Sequence, residues 1–424
     1  MKVYVETYGC ALNKADSSLM KALLISRGHE VVREISDADV VVINTCTVRR
    51  DSEEKVLKRL KELSRLNKKL VIAGCMAATQ PYTLKQVVPT ASLISPQNIT
   101  KIVDAVESNS IVNFILGVRD TSRLTCSVEG VIASIPIAEG CLGNCSYCIV
   151  KLARRRLVSY KPELIVGVVK EVVGRGVVEV ELTAQDTASY GLDLGNVNLP
   201  ELLKMIIDNV DGNYMIRVGM ANPDTLEPIL DEVIEVLKEP KVFKYLHIPL
   251  QSGDDRVLKI MNRRYSVDTF ISIVRELRRK IPGISIATDV IVGHPGEGDE
   301  EFENTVKVIN EVQPDKVHIA QYTLRPRTEA SAMPQVSEGV KKLRSSQLTK
   351  IVEEVGMKIN KEYVGGLAKV LIVSKGFRSN SLICRTYNYK PVVIYEDLRV
   401  GSSVYVVITN ATYYDLRGRL YRVN

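Results

Sequence analysis

The sequence predicts a chain of the α/β class, with an N-terminal parallel-sheet α/β domain, a partial (β/α)6 barrel and a small C-terminal antiparallel β-barrel. Strand-like and helical segments alternate up to about residue 330, which is the pattern of parallel sheets covered by helices. From residue 363 onward, apolar and polar residues alternate with a period of two between turns rich in Gly, Asn and Asp. The predicted domains are residues 1–115, 126–362 and 363–424.

Composition narrows the class of protein. The hydrophobic content of 45% and the charged content of 25% are ordinary for a globular protein, and no apolar run approaches the ~20 residues that a membrane helix needs. The first residues lead directly into a strand-like run rather than a signal peptide, so we expect a cytoplasmic protein without a membrane partner. Its eight cysteines then point to metal binding or catalysis rather than disulfides. The net charge of +7 favours a polyanionic partner such as RNA.

Three strand-like runs in the first domain each end in a cysteine. They cover residues 3–10, 40–46 and 70–75, and helical patterns over residues 16–27 and 51–66 lie between them. Because ligand sites of parallel sheets lie beyond the carboxyl ends of the strands, Cys10, Cys46 and Cys75 are expected to meet at one edge. The alternative is three unrelated buried cysteines, since free cysteine is often buried.

A second cysteine trio, Cys141, Cys145 and Cys148, has the spacing C-x3-C-x2-C and follows the strand-like residues 131–138. Structural zinc usually takes four protein ligands, and a cubane iron–sulfur cluster normally takes four cysteines. Three thiolates would therefore leave one iron of a cluster open for a substrate. A zinc-stabilised scaffold remains an alternative, although neither trio has a fourth ligand near it in sequence.

Six strand–helix units follow one another between residues 130 and 330. The predicted strands are 131–138, 177–183, 214–220, 245–249, 284–292 and 317–322. Sites in barrels of this type lie at the carboxyl ends of the strands, where the second trio falls. His247 and His318 lie within apolar strands, and we interpret them as satisfied core histidines.

The last 60 or so residues follow a Lys- and Glu-rich helix predicted over residues 337–361, and they carry a basic and aromatic set of side chains. Such a surface can hold a nucleic-acid backbone and stack bases, although a merely solvated β module is the alternative. The set comprises Lys375, Arg378, Arg385, Lys390, Arg417, Arg419, Arg422, Tyr387, Tyr389, Tyr413 and Tyr414. Cys126 and Cys384 have no partner cysteines and are interpreted as structural.

Two cysteine trios followed by a β-barrel tail resemble the radical S-adenosylmethionine (radical-SAM) methylthiotransferases over essentially the whole chain. Residues 1–112 look like the N-terminal domain of that family, and the tail looks like its RNA-binding TRAM domain. Residues 182–191, 247–252 and 282–289 are most similar to the archaeal and eukaryotic branch. Members of that branch convert N6-threonylcarbamoyladenosine, at position 37 beside the tRNA anticodon, to its 2-methylthio form.

The resemblance implies two [4Fe-4S] clusters and S-adenosyl-L-methionine as cofactors. It places a radical-generating cluster on Cys141, Cys145 and Cys148 and an auxiliary, sulfur-presenting cluster on Cys10, Cys46 and Cys75. Similarity to the wider radical-SAM fold implies that Glu181, Arg217, Gln251 and Gly293 contact S-adenosylmethionine. The implied partners are tRNA, an electron donor and a sulfur source, of which the last two are unidentified, and the oligomeric state is unknown.

The sequence departs from the family pattern at a few positions. His294 stands where Phe is usual, Arg327 and Glu329 replace a Gly and a Pro, and Lys151 and Leu152 differ from the usual residues after the third cysteine. Two alternatives stay open: methylthiolation of a ribosomal protein side chain, and a non-catalytic RNA-binding iron–sulfur protein.

Overall fold

A six-stranded parallel sheet forms the first part of the fold. The computed structural model describes residues 1–48 and 50–422, without the side chains of residues 50 and 51. The strands are β1 (Lys2–Thr7), β2 (Glu30–Val32), β3 (Val40–Thr45), β4 (Lys69–Gly74), β5 (Ser92–Ile94) and β6 (Asn113–Phe114). Their order is β2-β1-β3-β4-β5-β6, and every neighbouring pair is parallel. The helices are α1 (Ala11–Ser26), α2 (Arg50–Leu63), α3 (Cys75–Thr79), α4 (Pro81–Val87) and α5 (Ile102–Glu107).

The middle of the chain forms a partial barrel of six parallel strands. They are β7 (Ile132–Pro136), β10 (Glu179–Thr183), β11 (Met215–Val218), β12 (Tyr245–His247), β13 (Ser285–Val292) and β14 (Lys316–Gln321). Two three-stranded sheets, β11-β10-β7 and β12-β13-β14, are joined by a parallel bridge between Met220 and His247. A short antiparallel pair, β8 (Ala138–Glu139) with β9 (Val158–Ser159), follows β7. The predicted α/β class and six-unit barrel are confirmed, with strand ends shifted by at most two residues.

Helices follow the strands of this barrel, and the longer ones pack against its outside. They are α6 (Val150–Arg154), α7 (Pro162–Gly174), α8 (Leu199–Asn209), α9 (Pro223–Leu226), α10 (Leu230–Leu237), α11 (Asp255–Ile260), α12 (Val267–Lys280), α13 (Asp299–Val312) and α14 (Glu338–Lys361). Helix α7 shows why they form: Ile165, Val168, Val169 and Val172 recur at helical spacing and are buried in the main core. The predicted helix over residues 337–361 is α14, and the Ser337 side chain caps its start.

The C-terminal strands close into a five-stranded barrel. They are β15 (Leu367–Lys375), β16 (Leu382–Thr386), β17 (Pro391–Ile394), β18 (Ser403–Ala411) and β19 (Leu416–Leu420). Alternate residues such as Val370, Ile372 and Val406 fill its interior, as the period-two pattern predicts. No helix in the described part of the chain is long and apolar enough to span a membrane.

This C-terminal barrel packs against the amino ends of the partial-barrel strands, opposite the rim where the strands end. Lys244 N, just before β12, donates to Tyr387 O at 2.9 Å, and Asn388 Nδ2 donates to Gly283 O, just before β13, at 2.9 Å. Lys390 Nζ pairs with an oxygen of Asp315, just before β14, at 2.7 Å. The domain boundaries at residues 115, 126 and 362 stay predictions.

The prediction of an exposed basic and aromatic surface is wrong for Lys390 and Tyr389, and the Arg385 guanidinium stacks on the Tyr389 ring at 4.7 Å with its Nε buried. Lys390 is buried, because its ammonium group reaches Asp315 through the packed interface. Tyr389 points into the base of the partial barrel, where its hydroxyl donates to Glu179 Oε1 at 2.7 Å and its ring lies 4.9 Å from that of Phe243. Both residues belong to the turn that docks the two barrels together, which a period-two pattern cannot reveal.

Candidate active site

The first cysteine trio lies at the carboxyl edge of the N-terminal sheet. Cys10 caps the start of α1, Cys46 follows β3 and Cys75 begins α3 directly after β4. The Sγ atoms of Cys10 and Cys75 each lie 3.9 Å from Asn13 Oδ1. A methyl group placed on Gly9 would lie 2.8 Å from Cys46 Cβ, so the Cys10 loop and Cys46 are in contact. The three strand-end cysteines therefore meet, as the topology of a parallel sheet predicts.

Close backbone approach fixes the loops that carry this trio. Gly74 has φ +95°, and a Cβ there would lie 2.3 Å from Asn44 Oδ1, so only glycine can precede Cys75 without displacing the Asn44 side chain. Asn44 Nδ2 in turn donates to Asn13 O at 2.8 Å, and Asn13 Nδ2 donates to Thr45 O at 3.0 Å. These buried amides hold the strand ends at fixed separations.

The second trio lies on the loop after the first barrel strand. Cys141 Sγ accepts a hydrogen bond from Gly143 N at 3.2 Å, and Cys145 Sγ accepts one from Arg263 Nη1 at 3.4 Å. Gly140 begins this loop with φ +81°, and a Cβ there would lie 1.9 Å from Arg156 O. The start of the loop is therefore held against the backbone of Arg156, and N–H groups donate hydrogen bonds to two of its three sulfur atoms.

Burial raises the pKa of four of the six thiols. The pKa of Cys141 rises to about 11 and that of Cys75 to about 12, and the pKa values of Cys46 and Cys148 are also raised. Without a metal these groups are protonated thiols at neutral pH. Metal loading must therefore displace protons, and its affinity should increase with pH.

The sulfur atoms of each trio are too far apart, as they stand, to surround a single metal ion. Tetrahedral zinc, with Zn–S distances of about 2.3 Å, holds its sulfurs roughly 3.8 Å apart. Among the described residues, the only three His, Cys, Asp or Glu side chains with all donor atoms within 4.8 Å of one another are His247, Asp289 and His318. Neither cysteine trio is that compact. The two cysteine trios are therefore wider than a set of ligands closed around one zinc ion.

Arg154 connects the two trios. It ends α6, the helix that follows Cys148, and its guanidinium donates to Asn13 Oδ1 at 2.7 Å. Asn13 Oδ1 is the atom that lies against the Cys10 and Cys75 sulfurs. One buried cation therefore spans the distance between the loop of the second trio and the edge of the first.

The Arg154 side chain is balanced by a buried ion network. It donates to Asp16 Oδ2 at 2.7 Å and to Glu139 Oε2 at 2.8 Å, and Arg119 donates to Asp16 Oδ1 at 2.9 Å. Arg119 also donates to Tyr160 Oη at 2.9 Å. Two guanidinium groups and two carboxylates thus neutralise one another between the N-terminal sheet and the partial barrel. The sequence shows Arg154 only as part of a basic run, and its partners lie far away in the chain.

Two of the predicted cofactor contacts, Glu181 and Arg217, face each other inside the partial barrel. They are register neighbours on β10 and β11. Glu181 Oε2 accepts from Ser134 Oγ at 2.6 Å, and the Arg217 guanidinium lies 5.5 Å from the centre of the Tyr245 ring. Arg217 Nε is buried without a hydrogen-bond partner, which leaves a donor available to a ligand.

The other two, Gln251 and Gly293, lie at the carboxyl ends of β12 and β13. Gln251 has φ +66°, its N–H donates to Asp289 O at 2.8 Å, and its Oε1 is buried without a partner. A left-handed non-glycine residue with an unsatisfied amide is a strained arrangement typical of ligand sites. Gly293 N donates to Glu297 Oε1 at 2.8 Å. The unpaired Oε1 of Gln251 lies at this rim, whereas the Arg217 guanidinium lies deeper, 5.4 Å from the centre of the Tyr389 ring.

The family departures are accommodated locally. His294 is buried between Tyr147 and Tyr322, with ring centres 5.8 and 5.3 Å away, so it takes the place of another aromatic ring. Burial lowers its pKa to about 4, and it is neutral. Arg327 has φ +65°, the conformation that a glycine would adopt, and it donates to Thr79 O.

The sequence missed two groups at this rim. Arg263, which contacts Cys145, follows Asn262 in a short turn whose pattern carries no signal for metal binding. His247 and His318 are half-buried and lie beside Asp289 on the inner face of the barrel, rather than as separate core histidines. Alternation along β12 and β14 places both inside, but only the barrel brings them together.

Comparison with known proteins defines the class. Residues 135–309 match the Radical SAM superfamily, and residues 2–95 match Uncharacterized protein family UPF0004. The fold is shared with the radical S-adenosylmethionine methyltransferase TsrM from Kitasatospora setae, solved with cobalamin and a [4Fe-4S] cluster, at a TM-score of 0.58 and 16% identity over 78% of this chain and 77% of that one. The partial barrel therefore has the fold of the radical-SAM enzymes, and residues 135–309 match that superfamily.

Full-length relatives give the particular family. A protein of Methanocaldococcus jannaschii named as a "probable threonylcarbamoyladenosine tRNA methylthiotransferase" is 42% identical over 427 residues, covering 99% of this chain and 97% of the relative. The threonylcarbamoyladenosine tRNA methylthiotransferase of Homo sapiens is 34% identical, covering 93% of this chain and 69% of the relative. The chain belongs to the threonylcarbamoyladenosine tRNA methylthiotransferase family.

Proposed function

We propose that this enzyme converts N6-threonylcarbamoyladenosine at position 37 of tRNA to its 2-methylthio derivative. The observation that carries the proposal is the pairing of two cysteine trios across Arg154, because the reaction needs both radical generation and a sulfur donor near one substrate. The names of the full-length relatives support the tRNA substrate. A cytoplasmic location, with an electron donor and a sulfur source still to be identified, belongs to the same proposal.

Cys141, Cys145 and Cys148 would hold one [4Fe-4S] cluster, and Cys10, Cys46 and Cys75 a second. When bound, such clusters with S-adenosylmethionine supply the radical, the sulfur and the methyl group, which no protein side chain can provide.

The residues of the chain supply position and exclusion of water. The free Nε of Arg217 and the free Oε1 of Gln251 would bind polar groups of S-adenosylmethionine. Glu181, held by Ser134, and the backbone of Gly293 at the end of β13 would orient the cofactor. Arg154 and Asn13 would keep the two cluster sites at a fixed separation.

The C-terminal barrel would bind the tRNA. Arg378 and Arg419 are exposed, as are the rings of Tyr387, Tyr413 and Tyr414. Arginines neutralise phosphates and aromatic rings stack on unpaired bases, so binding should weaken steeply as salt rises.

The direct test is mass spectrometry of tRNA nucleosides from a deletion strain. We expect the 2-methylthio nucleoside to disappear and its threonylcarbamoyl precursor to accumulate, with both restored by the wild-type chain. Ribosomal proteins from the same strain serve as the second arm. Unchanged tRNA nucleosides together with the loss of a methylthio group from a ribosomal protein would overturn the proposal in favour of the protein substrate.

Iron and sulfide analysis with electron paramagnetic resonance tests the two sites separately. Replacing Cys141, Cys145 and Cys148 with Ala should halve the iron content, keep one cluster signal and abolish cleavage of S-adenosylmethionine. Replacing Cys10, Cys46 and Cys75 should keep cleavage but stop methylthiolation. Cys384→Ala is the matched control, because Cys384 is a buried cysteine in the C-terminal barrel core. A single cluster in the wild type would contradict the assignment.

A further inference from the structure

The partial barrel holds a compact group of metal-ligating side chains that the two cysteine trios do not include. His247, Asp289 and His318 each offer one donor atom, and these atoms all lie within 4.8 Å of one another. His247 Nε2 lies 3.0 Å from Asp289 Oδ2, and the two imidazole rings are 5.5 Å apart. We propose that these three residues form a separate binding site for a divalent transition-metal ion of the zinc class.

The strand register brings the three residues together on a rigid surface. Asp289 on β13 is directly paired with His318 on β14, and His247 ends the neighbouring strand β12. Leu246 and Ile286 pack into the outer core, so strand alternation places His247 and Asp289 on the inner face. Sites built on strands hold their ligands more precisely than sites on loops.

The distances suit one ion. Two ligand atoms at about 2.1 Å from a metal, separated by an angle of 90–110°, lie roughly 3.0–3.4 Å apart. The 3.0 Å separation of His247 Nε2 and Asp289 Oδ2 falls in this range. The other donor-atom separations are at most 4.8 Å, and small side-chain rotations would shorten them to the same range. The sulfur atoms of each cysteine trio are farther apart than the donor atoms of His247, Asp289 and His318. Of these three sets, only the histidine–aspartate set has the spacing of ligands to a single ion.

The donor set and its surroundings select the ligand class. Two imidazoles and one carboxylate are typical of zinc and other first-row divalent ions and leave coordination positions open. Ala287 and Ala320 lie two residues from Asp289 and His318 on the same inner faces, and neither offers a competing ligand atom. An open position there would take a water, hydroxyl or carboxylate oxygen.

The test uses the cluster-loaded wild-type enzyme, so that its cysteines are occupied, with zinc sulfate as the probe. We expect one retained zinc per chain beyond the cluster iron, measured by elemental analysis after gel filtration. Zinc K-edge absorption should show nitrogen and oxygen ligands at about 2.0–2.2 Å and no sulfur at about 2.3 Å. His318→Ala and the isosteric Asp289→Asn should weaken zinc binding about 100-fold or more.

His29→Ala is the matched control. His29 Nε2 lies 3.1 Å from Glu107 Oε1, so the two residues form a similar histidine–carboxylate pair, and within the described part of the chain they belong to no compact group of three donors. This variant should bind zinc as the wild type does. Absence of retained zinc in the wild type, sulfur in the zinc shell, or unchanged binding in His318→Ala and Asp289→Asn would each overturn the site. If the variants only raise the KM for tRNA and no zinc is bound, the three residues contact the substrate and the metal proposal is wrong. Because metal content is measured without turnover, failure here leaves the proposed function intact.

Discussion

Arg154→Met tests the buried ion network between the N-terminal sheet and the partial barrel. The Arg154 guanidinium is buried and donates to Asp16, Glu139 and Asn13 at 2.7–2.8 Å. Arg119 is the second cation of the network, so removing Arg154 leaves one uncompensated negative charge away from water. Breaking a buried ion pair by removing one partner costs about 3–5 kcal/mol, and we expect a loss of unfolding free energy in that range.

The assay is equilibrium urea unfolding of the cluster-free chain under reducing conditions, so that metal binding does not contribute. Far-ultraviolet circular dichroism and tyrosine fluorescence are the two probes, since the chain has 18 tyrosines and no tryptophan. The two transitions must coincide before a free energy is taken from them. Arg175→Met is the matched control, because Arg175 pairs with Glu171 on a helix surface with both side chains half exposed. Such a pair contributes about 0.3–0.5 kcal/mol.

A loss below about 1 kcal/mol for Arg154→Met, or a loss equal to that of Arg175→Met, would refute the reasoning, since it would be well short of the cost of an unpaired buried charge. The double variant Asp16→Asn with Arg154→Met adds a second check. The double variant leaves Arg119 and Glu139 as a pair of opposite charges. Its loss of unfolding free energy should therefore be about 0.5–3 kcal/mol smaller than the sum of the losses of the two single variants.

Three further predictions concern the rim and the C-terminal barrel. Gly140→Ala should lower the free energy of unfolding by about 1–3 kcal/mol or more in thermal unfolding and reduce the iron content, because the new Cβ would clash with the carbonyl oxygen of Arg156. The control is Gly167→Ala on α7, where the new Cβ would lie in open space and should not destabilise the chain. The pKa of His294 is about 4 in the folded chain and near 6.5 in the unfolded chain. The contribution of the neutral imidazole to the free energy of unfolding is therefore fully present above pH 6.5, and it falls by about 1.4 kcal/mol per pH unit as the pH drops toward 4. His294→Phe should flatten that part of the stability profile, and an unchanged profile would contradict the neutral, buried histidine. Arg419→Ala should weaken tRNA binding and reduce the salt slope by about 1 in a titration across ionic strength, and an unchanged slope would place the RNA elsewhere.

The positions of the cysteines could be predicted because strand ends in parallel sheets share an edge. Cys10, Cys46 and Cys75 each follow an apolar run, so the topology alone brings them together. The short strands β2, β5 and β6 escaped prediction, since two or three residues carry no period. They add three of the six strands of the first sheet without moving the site.

Contacts between distant parts of the chain could not be predicted in the same way. The partners of Arg154 are 138 and 15 residues away, and no local pattern connects Asp16 with Glu139. Lys390 and Tyr389 have the composition of a nucleic-acid surface but lie in the interface between the two barrels. Burial of a charged or aromatic residue depends on what docks against it, which one sequence does not encode locally.

Under the proposed function, the docking of the C-terminal barrel at the amino ends of the strands sets a minimum length for a nucleic acid held by both parts of the enzyme. The cysteine rim lies at the other ends, and the longest strand between them, Ser285–Val292, has eight residues and spans roughly 26 Å at about 3.3 Å per residue. A nucleic acid that touches both ends must pass along the flank of the enzyme. A free nucleoside or a trinucleotide is too short to do so, whereas a stem-loop or a whole tRNA is long enough to be held at one end and modified at the other.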